Sequence, residues 1–282
     1  MKTQHPLAQL CAAFAVSRSG YHAWRRAEPS ARAQVDAVLS TEIEQVHTRH
    51  RGRYGARRIQ HELRRQGRRH SRKRVRRLMR QQGLSGTQPR RFVPRTTDSA
   101  HAHPIAPNRL AQVPAPTGPN QIWVADLTYV PTAEGWLYVA VILDLWSRRV
   151  VGWAAGPTLA ARLTLAALHR ALDQRRPPRG GLVHTDRGVQ YASAEHRGLL
   201  AAAGLVPSMS SRANPYDNAV MESFFATYKR ECVGPAQASG GYATRAEAQA
   251  DLFAYVETYY NRERLHSALG YQTPVDFENR MN

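Results

Sequence analysis

An aspartate in the middle of an apolar, β-branched run is the feature that most restricts how this chain can fold. The run is Gln121-Ile122-Trp123-Val124-Ala125-Asp126-Leu127-Thr128-Tyr129-Val130, which reads as a buried strand carrying one acid. A second run, Gly181-Leu182-Val183-His184-Thr185-Asp186, ends in another aspartate and is broken by Arg187-Gly188. A third acid, Glu222, follows after 35 intervening residues, inside a stretch from Asn218 to Lys229 whose apolar spacing is helical. A carboxylate within an apolar strand is costly unless something pairs with it, and a divalent cation is the natural partner. Magnesium-like ions take oxygen ligands and are usually held by one or two carboxylates plus substrate phosphate oxygens. Three acids can hold two ions about 3.5–4 Å apart, an arrangement suited to in-line displacement at a phosphodiester.

The pattern around these acids predicts strands near residues 122–130, 137–145 and 150–154, the three forming an antiparallel meander with a turn at Glu134-Gly135. A helix over 159–174 follows and is ended by Pro177-Pro178. Then come the strand of Asp186, a helix over 193–203, a strand over 205–209, the helix of Glu222 and a long helix over 244–260. Mixed strands with crossover helices imply an α/β layer structure whose site lies at the strand ends.

Charge divides the chain. Residues 1–100 hold 23 Lys or Arg against 6 acids, net +17, whereas the other 182 residues hold 17 against 15. Such a footprint belongs to a DNA-binding region. Two short helical pairs are predicted there. In the first, Leu7, Leu10, Cys11 and Phe14 share a face, and Ser17 caps a second helix through Tyr21 and Trp24. The second runs from Tyr54 through Arg57, Arg58, Ile59 and Leu63, breaks at Gly67, and resumes at Ser71. There Val75, Leu78 and Met79 face inward, and Arg72, Lys73, Arg74, Arg76 and Arg77 project as DNA contacts. Seven prolines between Pro89 and Pro119 mark an extended linker. The organisation expected is a helical helix-turn-helix region over 1–87, a linker over 88–119, and a catalytic domain over 120–282.

Cys11 and Cys232 are too few for a disulfide framework or a paired-cysteine zinc site. No apolar run approaches the roughly 18 residues of a membrane helix. A cytoplasmic, nucleoid-associated protein with no membrane partner is expected.

Several blocks in order resemble one family. They are Trp123 to Tyr129; His184-Thr185-Asp186-Arg187-Gly188-Val189-Gln190-Tyr191; Ser208-Met209-Ser210; Asn214-Pro215-Tyr216-Asp217-Asn218-Ala219; and Glu222-Ser223-Phe224-Phe225 with Lys229. Tyr260-Asn261 and Arg264 to Tyr271 with Pro274 complete the set. Together they resemble bacterial insertion-sequence transposases of the DDE class, OrfB type, in the IS-three group. The resemblance implies an RNase H-like catalytic core, a mixed five-stranded sheet with flanking helices like that of retroviral integrases. It implies that Asp126, Asp186 and Glu222 are catalytic and bind two Mg2+ or Mn2+ ions. It implies cleavage at transposon ends, transfer to target DNA, a copy-out, paste-in route through joined ends, and a multimer working with, or fused by frameshifting to, a smaller OrfA protein. A hydrolytic RNase H-like nuclease and a non-catalytic DNA-binding regulator are the alternatives.

Other polar residues compete for roles. Asp144 is read as a turn or arginine-pairing residue before a metal ligand, and Asp217 as a cap. His184, on the strand face of Asp186, is assigned a supporting or DNA-contact role, with a packed core histidine as the alternative. Lys229, two helical turns after Glu222, is expected to meet DNA, as are Asn214 and Tyr216. Glu231 and Glu195 read as solvated helix charges, and Trp123 and Phe224 as core. Arg262, Arg264 and His266 are placed where bases or a partner subunit could pack.

Overall fold

A computed structural model describes residues 5–87, 104–211 and 218–280. Two compact units, Met1–Gly86 and Thr87–Asn282, divide the chain.

The first unit is all helical. Helices α1 (Leu7–Ala13) and α2 (Arg18–Arg26) form the first pair, and the Ser17 hydroxyl caps α2 by accepting from the Gly20 amide at 2.9 Å. Next is α3 (Ala31–Arg49), which the sequence reading did not anticipate. Its inward residues Leu39, Ile43 and Val46 keep helical spacing; Val35 continues that stripe but is exposed, and Val38 is exposed on another side. The pair α4 (Ala56–Arg65) and α5 (Arg72–Gln81) packs on α3, and Ser71 caps α5. Ile59, Leu63, Val75 and Leu78 are buried as expected, joined by Tyr54 and Met79.

The second unit is built on a five-stranded sheet. Its strands are β1 (Ile122–Thr132), β2 (Gly135–Asp144), β3 (Val150–Gly156), β4 (Leu182–Thr185) and β5 (Val206–Met209), in spatial order β3-β2-β1-β4-β5. The first three are antiparallel and β1, β4 and β5 are parallel, which is the mixed sheet expected. Gly135, at φ +101°, closes the two-residue turn that sets the β1–β2 register, with Thr132 opposite it. The return to β4 passes through α6 (Ala161–Arg175), and β4 reaches β5 through α7 (Val189–Ala192) and α8 (Ala194–Ala202). One sheet face, with Trp123, Ala125, Ala140 and Ile142, packs on Leu163, Ala167, Leu168 and Ala171 of α6. The approach is close: a Cβ at Gly152 would stand 2.4 Å from the Ala167 carbonyl oxygen, so only glycine fits there.

The helix of Glu222, α9 (Ala219–Tyr228), packs on β1 and continues through a π-helical turn, Lys229–Val233, into α10 (Gly234–Ala238). The predicted terminal helix is α11 (Arg245–Phe253) followed by a second π-helical stretch, Ala254–Tyr260. Asn261 then closes part of the edge of β3, accepting from the Val150 amide at 2.9 Å and donating to its carbonyl at 3.0 Å. The last helix, α12 (Pro274–Asn279), carries Glu278, which accepts from Arg149, Arg175 and Ser147 at 2.6–2.7 Å.

In the second half of the proline-rich segment, the amides of Arg109 and Leu110 donate to Ser208 Oγ at 2.9 and 3.2 Å. Two readings are corrected here. Glu231 is buried, not solvated, and Arg264 donates to both its carboxylate oxygens at 2.8 Å. Arg264 is therefore internal and not free for bases or a partner; His266 beside it is buried too. Helical spacing places Glu231 on the inward face, three residues after buried Tyr228 and seven after buried Phe224; its charge alone suggests solvent. Asp144 is a turn former: its carboxylate accepts from the amides of Asn120, Trp146 and Ser147 at 2.6–3.1 Å, and burial pushes its pKa up.

Candidate active site

Register brings the two aspartates together. In the parallel pair, Val124 stands opposite His184; Asp126 lies two residues further along β1 and Asp186 two residues past His184, just beyond the end of β4, where its charge acts on Asp126. Neighbouring strands lie about 4.8 Å apart. Asp126 is half-buried, and its Oδ1 accepts from the Leu127 amide at 2.8 Å. Asp186 follows the last residue of β4 and its Oδ1 accepts from the Gly188 amide at 2.9 Å. The turn is tight: a Cβ on Gly188 would lie 3.0 Å from that same oxygen. Glu222 lies in the first turn of α9 and is exposed.

The electrostatics show how crowded with negative charge the place is. Burial, then the charge of Asp186, pushes the Asp126 pKa up to about 8; Glu222 adds to this, while the Leu127 amide and Lys229 oppose it. Among the described residues, no group of three or more His, Cys, Asp or Glu side chains is gathered closely enough to hold a metal ion. The site is thus a pair of aspartates with Glu222 acting on it through space. Its donors are all carboxylate oxygens, the set that suits a hard divalent cation, and the raised pKa marks a place where added positive charge is favourable.

A pH signature follows. The folded pKa of Asp126 lies above the unfolded value of about 3.9, so the stability gained from its bound proton is full at low pH and is lost as pH rises through about 8. Asp126→Asn removes this loss, on the order of a few kcal/mol. In chelator, the melting temperature of the wild type should fall more between pH 6 and pH 9 than that of the variant. Parallel curves would contradict the shift.

Around the pair, Lys229 holds its Nζ 5.0 Å from the Tyr129 ring centroid, and burial lowers its pKa while the charge of Asp126 raises it. His184 is fully buried, with Nδ1 2.8 Å from Ser208 Oγ and Nε2 3.1 Å from Ser210 Oγ. It ties β4 to β5, the packed-histidine alternative. Asn214, Tyr216 and Asp217 lie outside the described residues. In the helical unit, Arg57, Arg72, Lys73 and Arg76 are exposed, and Arg58 sits 5.6 Å from the Tyr54 ring centroid. Arg74 and Arg77 pair with Asp36 on α3, at 2.6 and 2.5 Å, and hold its carboxyl below the usual range. The pairing braces α5 against α3, with Arg77 still exposed and Arg74 half-buried.

Sequence reading missed the cleft wall. Tyr129, Trp136 and Tyr138 line the same cleft as Asp126 and Asp186. The signal was present in the hairpin pairing, where Tyr129 faces Tyr138 and Pro131 faces Trp136.

Comparison with known proteins fits this picture. Families described as integrase core domains match residues 116–215 and 203–274, and one described as an HTH-like domain matches residues 34–92. The chain is 45% identical over 271 residues to an uncharacterized 31 kDa protein of insertion element IS600 from Shigella sonnei, covering 96% of this chain and 98% of that one. It is 42% identical over 273 residues to the transposase InsF for insertion sequence IS3A of Escherichia coli (strain K12), covering 96% and 93%. A chain in the simian T-cell lymphotropic virus intasome in complex with PP2A regulatory subunit B56 gamma is similar at 15% identity and TM-score 0.49, over 84% of this chain and 74% of that one. Among the described residues no helix is long and apolar enough to cross a membrane. A helix-turn-helix-like domain and an integrase core, shared with such relatives over nearly the whole length, make this chain a member of the IS3 family of insertion-sequence transposases.

Proposed function

We propose that Asp126, Asp186 and Glu222 are the carboxylates with which this DNA transposase cuts a strand at the end of its insertion sequence and joins the freed 3′-hydroxyl to a second phosphodiester. The observation that carries the reading is the placement of Asp126 within β1 and of Asp186 just past the end of the adjacent parallel strand β4, with the Asp126 pKa raised to about 8 by burial and like charge. Asp126 and Asp186 would hold two divalent ions, magnesium or manganese, with Glu222 completing the second site, and such ions would supply activation of the attacking oxygen and stabilisation of the leaving one.

The protein's own part is positioning. The Leu127 and Gly188 amides each fix one oxygen of an aspartate and so set how the two carboxylates are held. Lys229, packed on Tyr129 beside the pair, offers its ammonium group to a DNA phosphate. Asn214 and Tyr216 position the strand from the segment before α9. The exposed Arg57, Arg72, Lys73 and Arg76, with Arg58, hold the duplex through its phosphates. The organisation into residues 1–87, 88–119 and 120–282 assigns recognition to the first region and chemistry to the last. Joined-end intermediates, a homo-oligomer working on paired ends, cooperation with OrfA and residence in the cytoplasm at the nucleoid complete the proposal.

The test uses labelled duplexes carrying the insertion sequence's own terminal repeats, in magnesium, with and without the upstream OrfA product. Cut strands accompanied by joined products are expected. Cutting with no joined product would replace the proposal with the nuclease reading, and binding with no reaction in any mixture would replace it with the regulator.

A further inference from the structure

The cleft that reaches the aspartates encloses about 370 Å3 and runs from them to Tyr129, Trp136, Tyr138 and Leu159. The Tyr129 and Trp136 rings meet edge to face at 4.7 Å and 77°, and Trp136 is 47% exposed. Its β2 neighbours Leu137 and Val139 are buried, so the hairpin had apolar residues to spare for packing, yet it leaves an indole facing solvent beside the acids. A phosphate and its cations need the carboxylates and Lys229; they have no use for three aromatic rings. Flat π surfaces recognise flat π surfaces, and every nucleobase presents one.

We infer that this aromatic cleft receives one unstacked nucleobase of the end DNA, adjacent to the phosphodiester that lies at the aspartates. The inference rests on the proposed placement of that phosphodiester. With the backbone fixed at the strand ends, a base still paired in the duplex stacks on its neighbours, whereas an extruded base can enter a pocket and stack on aromatic walls. Stacking offsets part of the unpairing penalty, and it is tolerant of sequence. Tyr129 has a second part here, since the Lys229 ammonium lies over its ring and so links the base pocket to the phosphate contact.

The experiment places a single 5-iodouracil at each position in turn within three nucleotides of the cleaved phosphodiester and irradiates the bound complex in calcium, without cleavage. Crosslinks to Trp136 or Tyr129 are expected from one position next to that phosphodiester. Trp136→Ala should lower the single-turnover cutting of a fully paired end about tenfold or more, Trp136→Phe should retain most of it, and an abasic nucleotide at the crosslinking position should bring wild type and Trp136→Ala to the same rate. Wild-type cutting in magnesium with no crosslink from any position, or equal rates for wild type and Trp136→Ala on paired DNA, overturns the base pocket alone. If no protein cuts in magnesium but the crosslink forms, the reading of the three acids fails and the pocket stands.

Discussion

Glu222→Gln is expected to lower both cutting and joining of insertion-sequence ends by about a thousandfold or more, with DNA binding and melting temperature unchanged. A thousandfold is about 4 kcal/mol of barrier, the several kcal/mol that a lost metal carboxylate removes from phosphoryl transfer. The substitution is nearly isosteric, and Glu222 is exposed in the first turn of α9, so the fold has little to lose. What changes is charge: Glu222 contributes to the negative field at Asp126. Single-turnover assays with gel-shift controls read the two effects separately. A variant that joins strands within tenfold of wild type would remove Glu222 from the chemistry.

The second large effect concerns stability. Arg264→Met should destabilise the catalytic unit by about 3–5 kcal/mol, because it leaves the Glu231 carboxylate buried without its main cationic partner. Tyr255, donating to Glu231 Oε2 at 3.2 Å, and Arg230, 3.6 Å away, cannot replace a bidentate guanidinium. Adding Glu231→Leu to Arg264→Met should recover most of the loss, since two apolar side chains carry no charge to desolvate. Urea titration of the two single variants and the double variant closes the cycle. A single variant within 1 kcal/mol of wild type would contradict the pairing.

The catalytic half was legible because its signals are local. Alternation, a short turn and paired prolines placed the strands and α6, and an acid in each of two adjacent apolar runs pointed to the site. Pairing between strands was what the sequence could not supply: the approach of Asp186 to Asp126 follows from a register, Val124 opposite His184, fixed by contacts between segments sixty residues apart. Glu231 was misread for a different reason. Its charge suggested solvent although it stands three residues after buried Tyr228, and the partner that makes burial tolerable, Arg264, lies 33 residues further on. Arg74 and Arg77 belong on the same α5 helix as Arg72 and Arg76, and only the position of Asp36 on α3 shows which of them also brace the helices. His184 looked functional because it shares a motif with Asp186; its burial between Ser208 and Ser210 comes from β5, 24 residues later.

Manganese binding, followed by calorimetry at pH 8 for wild type, Asp126→Asn and Asp186→Asn, tests the central claim most directly. The account predicts binding by the wild type with release of protons, because the Asp126 carboxyl must ionise, and loss of that binding in both variants. Equal manganese affinity in all three proteins would contradict it.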